Sequence, residues 1–124
     1  MPVLPCPTTP THELGDTRFT TLATPRTGTA ETAVWYVDIA PGTPATPHAL
    51  TREEVFVVLA GTAAVTLDGV VGSAAAGDAI VVPAGVEMAL TNGGDAPLRL
   101  LCCLPVGGQA RTPDGATFTP PWAE

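Results

Sequence analysis

Residues 52–61 read Arg52-Glu53-Glu54-Val55-Phe56-Val57-Val58-Leu59-Ala60-Gly61, a charged lead-in followed by a β-branched and aromatic run that stops at glycine. A short apolar run with this composition and a glycine boundary predicts a buried strand over 54–60. The segment 62–67 continues to Asp68-Gly69, a two-residue hairpin signal. The two segments on either side of Gly61 are expected to pair antiparallel.

Working outward, strands are predicted over 18–22, 32–40, 70–76, 79–82, 87–91 and 98–104, separated by Pro41-Gly42, Gly77-Asp78, Pro83 and Asn92-Gly93-Gly94. That gives about eight short strands with frequent turn signals, the pattern of a closed barrel or sandwich, and no 3.6-residue period competes with it. Hydrophobic residues are 45% of the chain and charged ones 14%, with 13 glycines and 14 prolines cutting the apolar runs, which reads as all-β. A chain of 124 residues suits one domain with one site. Its barrel core is expected over about 32–104, between an N-terminal extension (1–31) and a Gly/Pro-rich tail (105–124). Phe118 and Trp122 in that tail are expected to cover an apolar seam of the molecule, or else to form part of a subunit interface.

Several chemistries are excluded by what is missing. The formal charge is -7 and the five basic residues are scattered arginines, so no basic patch exists for nucleic acid. No apolar run approaches the roughly 18 residues of a membrane span, and residues 1–10 lack a basic segment followed by an apolar one. Three cysteines, two of them adjacent, do not make a disulfide framework, and a cytoplasmic location is expected. The absence of lysine rules out Schiff-base catalysis from this chain, and the one serine, Ser73, lacks a nucleophile-elbow context. Arginine in place of lysine, with abundant Ala, Pro, Thr and Gly, is the composition of a GC-rich genome and suggests a bacterial source.

Pro41-Gly42, His48 and residues 52–61 resemble the first motif of the cupin superfamily; Gly77-Asp78, Pro83-Ala84-Gly85 and Asn92 resemble the second. Five residues separate Gly77 from Pro83 and six separate Gly85 from Asn92, as that motif requires. The resemblance, covering about 35–104, implies an RmlC-like double-stranded β-helix, a jelly-roll barrel, and a homodimer joined through a sheet edge. It also implies a metal on two histidines and a glutamate of the first motif and a histidine of the second. Those positions here hold His48, Leu50, Glu54 and Met88.

His48 and Glu54 are therefore the only ligands left at the family positions, fewer than a resident zinc or iron needs. The cofactor expectation is none, or a weakly held divalent metal on His48 and Glu54, with His12, Cys102 or Met88 as conceivable further donors. Positions 48, 50 and 54 share one parity, so on extended chain they face the same side. Leu50, Phe56, Met88 and Cys102 are expected to line the pocket with them, Met88 and Cys102 chiefly as packing groups. A carboxyl in such surroundings needs a partner, and a hydrogen bond from His48 is expected to supply it, giving an acid–base couple. The inward face of the strand carrying Trp35, Tyr36 and Asp38 is left open, and Arg99 is expected to face solvent.

Three functions follow: a metal-independent isomerase, cyclase or lyase acting on a small molecule through His48 and Glu54; a metal-dependent oxygenase-type enzyme with altered ligands; or a non-catalytic ligand-binding or sensing barrel.

Overall fold

The structure is a computed structural model that describes residues 3–124. Its strands are β1 (His12–Leu14), β2 (Thr17–Ala23), β3 (Thr32–Ile39), β4 (Ala49–Leu50), β5 (Glu54–Ala60), β6 (Thr62–Leu67), β7 (Val70–Ala75), β8 (Ala79–Val82), β9 (Met88–Asn92), β10 (Leu98–Pro105), β11 (Ala110–Arg111) and β12 (Thr117–Phe118). One-turn 3-10 helices occupy Pro25–Thr27 and Pro121–Ala123. All strand pairs are antiparallel. They form a six-stranded sheet ordered β1-β2-β3-β10-β5-β8, with two three-stranded sheets ordered β7-β6-β9 and β12-β11-β4.

Alternation decides what lies inside, because successive side chains of a strand point to opposite faces. Along β3, Ala33, Trp35, Val37 and Ile39 are buried, while Val34, Tyr36 and Asp38 are half-buried on the outer face. Along β10, Leu98, Leu100, Cys102 and Leu104 are buried, and along β5 the buried set is Glu54, Phe56 and Val58. These rows meet Val82, Met88 and Leu50 from the other strands in one apolar core, which also takes in Phe19, Ala110 and Ala123. Trp35 therefore faces inward. Arg99 lies on the outer face, with Nε 3.1 Å from Asp38 Oδ1 in an ion pair too bent for a hydrogen bond, and its guanidinium 4.2 Å above the Tyr36 ring.

The expected pairing of β5 with β6 does not form. β5 pairs with β10 and β8, whereas β6 pairs with β7 and β9. The single residue Gly61 cannot reverse the chain into a hairpin; it turns the chain out of one sheet and into the other. It adopts φ +81°, and a Cβ there would stand 2.5 Å from the Pro97 carbonyl oxygen. The hairpin signal works one step later, where Asp68 (φ 46°) and Gly69 (φ 81°) join β6 to β7 with Leu67 opposite Val70. Positive φ at both turn residues is what a tight hairpin with the right-handed strand twist demands.

Asn92 anchors the end of β9. Its buried amide donates from Nδ2 to the Ile39 carbonyl at 3.0 Å and the Ala96 carbonyl at 2.7 Å, and Oδ1 accepts from Gly94 N–H at 2.9 Å.

Gly61→Ala is expected to destabilise the fold by about 2 kcal/mol or more, through left-handed strain and the backbone clash together. Gly72→Ala is the control, since its added Cβ meets only Val65 Cγ1 at 3.8 Å. That variant is expected to stay within about 0.5 kcal/mol of the parent in urea denaturation.

Candidate functional site

The inward rows of β3, β5 and β10 surround a cavity of about 210 Å³. Its floor is made of buried side chains, Leu50, Glu54, Phe56, Met88, Leu100 and Cys102 among them, while Leu14, Pro44, Thr46 and Phe118 line it from exposed positions and mark the mouth. All six residues singled out from the sequence (His48, Leu50, Glu54, Phe56, Met88 and Cys102) line this one cavity.

Glu54 opens β5 opposite Val82 and is 4% exposed. Burial alone pushes its carboxyl up from 4.5 to about 8; no hydrogen bond or neighbouring charge offsets the lost solvation. At neutral pH the group is therefore chiefly a carboxylic acid, a proton donor facing an apolar space. Cys102, fully buried, has its thiol pushed well above the ordinary range, first by burial and then by Glu54 and Cys103. It is a small packing group with a firmly held proton.

His48 is placed by backbone pairing. Its N–H donates to the Met88 carbonyl at 3.0 Å and its carbonyl accepts from Met88 N–H at 2.8 Å, an isolated antiparallel bridge between a loop and β9. Its ring Nδ1 lies 2.9 Å from the Thr46 carbonyl oxygen. A carbonyl only accepts, so Nδ1 carries the proton and Nε2 is left with the free lone pair when the ring is neutral. The expected His48–Glu54 hydrogen bond is absent: both groups line the cavity, but the imidazole is tethered to its own loop and Glu54 has no partner among the described residues. An acid and a base thus share a cavity without neutralising each other.

The residues present do not fit a resident metal. Leu50 and Met88, at 3% and 2% exposure, offer no imidazole or carboxylate at two of the family positions, and no three His, Cys, Asp or Glu side chains converge among the described residues. Neither His12 nor Cys102 completes a set. His12 Nδ1 lies 2.9 Å from Thr11 Oγ1, with its ring edge-on to Trp122 and outside the cavity lining, and Cys102 does not converge with His48 and Glu54 into a cluster of three. Met88 Sδ would add one soft donor to two hard ones, a poor match for zinc or ferrous iron.

The sequence reading missed much of the wall. Phe19, Trp35, Phe118 and Trp122 line the cavity, with Trp122 stacked on Phe19 at 3.6 Å and 7° and its carbonyl accepting from Thr21 Oγ1 at 2.8 Å. For Trp35 a signal was present, since the alternate set on its strand contains Asp38 and is the outer one. Phe118 and Trp122 reach the cavity only because the tail folds back, which no local pattern shows.

Comparison with known proteins agrees with this architecture. The family model described as the cupin domain matches residues 35–104, more than half of the chain, and the chain belongs to the cupin family. Solved structures of similar fold include an RmlC-like cupin from Shewanella frigidimarina, with TM-score 0.64 and 22% identity over 73% of this chain and 77% of that one. Another is the polyketide cyclase RemF from Streptomyces resistomycificus, with TM-score 0.65 and 24% identity over 73% of this chain and 66% of that one. The Momordica charantia 7S globulin reaches TM-score 0.71 at 21% identity, covering 87% of this chain and 36% of the globulin. At these identities the likeness is one of fold. No curated protein matches the sequence. Among the described residues, no helix is long and apolar enough to cross a membrane.

The raised carboxyl has a consequence for stability. The folded state holds the Glu54 proton up to about pH 8, whereas the unfolded chain releases it near 4.5. Stability from this group is thus fully present below pH 4.5 and is lost as pH rises through 8, because the folded state binds more protons across that window. Urea denaturation is expected to show the parent losing a few kcal/mol between pH 5 and 9 relative to Glu54→Gln, whose curve should lack this component.

Proposed function

We propose that this cupin is a small-molecule enzyme of the isomerase, cyclase or lyase type, working by proton transfer without a resident transition metal. Glu54 is the acid and His48 the base. The observation that carries the reading is a buried, unpartnered acid on the floor of an apolar cavity that His48 also lines, with a ring nitrogen free of any partner. A hydrogen-bonded pair would be occupied with itself; an unpaired acid and base are each free to bond to a substrate.

The chemistry is enolisation and its reverse. The Glu54 O–H protonates a substrate carbonyl oxygen while His48 Nε2 removes a proton from the adjacent carbon, giving an enol, a glutamate and an imidazolium. Ketonisation, in which His48 returns its proton to the same or a conjugated carbon and the enol O–H goes back to Glu54, yields exchange or isomerisation. Where the enol carbon instead attacks a second carbonyl of the substrate, the π bond of that carbonyl breaks, its oxygen takes the imidazolium proton, the enol O–H returns to Glu54 and the ring closes. General acid and base action of this kind contributes about 10²–10⁴-fold each. The polyketide cyclase among the structural neighbours has a named activity that such proton transfers would serve. The metal-dependent alternative would need a third donor beside His48 and Glu54, and the binding-only alternative is separated from catalysis by the experiment below.

The test is deuterium exchange at the acidic C–H of 2-tetralone in D₂O, followed by NMR. Exchange above the buffer rate is expected, falling at least about 100-fold in Glu54→Gln and in His48→Gln with the fold retained. No exchange by the parent, or full exchange by both variants, would overturn the proposal.

We also take the molecule to act as a homodimer joined at a sheet edge. Edge strand β7 exposes Val70 and Val71 at 72% and 79%, and edge strand β8 exposes Val81 at 51%, apolar edges of the kind that chains cover by pairing. Sedimentation equilibrium is expected to give twice the chain mass; Val71→Lys, on the solvent face of β7, should shift it toward the monomer.

A further inference from the structure

The chain has six aromatic residues (two Trp, one Tyr, three Phe), and five of them, Phe19, Trp35, Phe56, Phe118 and Trp122, line the cavity. Only Tyr36 lies elsewhere, under Arg99 on the outer face of the sheet. A core needs apolar volume, which Leu, Val and Ile supply as well; concentrating the aromatic side chains around one empty space supplies flat surfaces for offset stacking. Charge is distributed in the opposite sense. None of the five arginines lines the cavity: Arg18, Arg26 and Arg99 face Glu13, Glu124 and Asp38, and Arg52 and Arg111 are exposed. A carboxylate or phosphate entering this space would find no arginine or lysine and would meet a buried acid.

Glu54, 4% exposed and lining the cavity, has a carboxyl with no hydrogen-bond partner among the described residues. A buried O–H donor without an acceptor costs free energy that a ligand oxygen would return. Size adds a bound. An apolar cavity of about 150 Å³ holds a benzene ring. The present one, about 210 Å³ and open at its mouth, holds one ring with room for part of a second.

We propose that the cavity takes an uncharged carbonyl compound of one or two rings, stacked against the aromatic wall, with its oxygen accepting a hydrogen bond from Glu54. This deepens the acid–base reading and rests on it for Glu54 as proton donor, naming the substrate class on which that chemistry acts.

The experiment compares 2-acetonaphthone with 2-naphthoate, which have the same rings and nearly the same shape but differ in charge, by isothermal titration calorimetry at pH 6.5. The neutral ketone is expected to bind at least tenfold more tightly, and to change the emission of Trp35 and Trp122, the chain's two tryptophans, both in the wall. 1-Acetylpyrene, with four fused rings, is expected not to bind. Glu54→Gln keeps an N–H donor and should retain the ketone within about threefold, whereas Glu54→Leu should lose about tenfold, the worth of one hydrogen bond. Thermal unfolding checks that both variants are folded. Equal or tighter binding of the naphthoate, tight binding of the pyrene, or ketone affinity unchanged in Glu54→Leu would overturn the inference. Ketone binding without exchange of 2-tetralone would sink the catalytic reading and leave the ligand class standing; exchange without preference for the neutral ligand would do the reverse.

Discussion

Taking the Glu54 carboxyl out of water is the constraint around which the rest of the barrel is arranged. A carboxylate in an apolar interior with no counter-charge is far costlier than a protonated acid, so the proton stays on and the group's ordinary acidity is forfeited. That state persists only while the surroundings stay dry. The inward row of β10, with Leu98, Leu100, Cys102 and Leu104 all at 1% exposure or less, seals one side, and Phe56 and Val82 seal others. The neighbouring thiol of Cys102, itself held neutral, adds bulk without adding a charge.

The cavity is assembled from two kinds of chain. The part matched by the family model, residues 35–104, supplies the floor: Leu50, Glu54, Phe56, Met88 and Cys102, with His48 beside them. Much of the aromatic wall comes from outside it, with Phe19 on β2 and Phe118 and Trp122 in the tail. Trp122 is held by its stack on Phe19 and the hydrogen bond from Thr21, and the next turn is tied down by Arg26 Nη2 at 3.1 Å from Glu124 Oε2. An exposed ion pair of that kind contributes little alone; the stacked rings and the buried Ala123 do most of the fastening. The division lets a common barrel hold reactive groups while its flanking segments shape what reaches them.

Placement of His48 shows how little is needed to turn a pair into a site. One carbonyl, that of Thr46, takes the Nδ1 proton, and the ring makes no hydrogen bond to Glu54. Both groups then keep an unmet hydrogen-bonding capacity toward the same space. Polar groups inside a protein are normally satisfied, so a buried acid and a half-buried imidazole that line one cavity without pairing are the feature that separates this interior from a packed core.

Strand identity was legible in the sequence because it depends on neighbours two residues apart. The segments 54–60, 62–67 and 79–82 match β5, β6 and β8 residue for residue, and the shared parity of positions 48, 50 and 54 puts their side chains in one cavity. The two motifs identified the cupin barrel, since their glycines, prolines and Asn92 mark turns that recur at set intervals. Pairing partners were not legible: β5 and β6 are consecutive, yet lie in different sheets, because Gly61 has a backbone conformation and a close approach to Pro97 that no local pattern encodes. Nor was the absence of a His48–Glu54 hydrogen bond, the imidazole bonding instead to a carbonyl two residues before it, nor the return of Trp122 onto Phe19 across about a hundred residues of chain. The sequence by itself determined which residues are extended and which face inward, a matter of local sterics and solubility. Only the tertiary structure decided which inward groups meet and which remain free, because that depends on long-range distances set by the closed barrel as a whole.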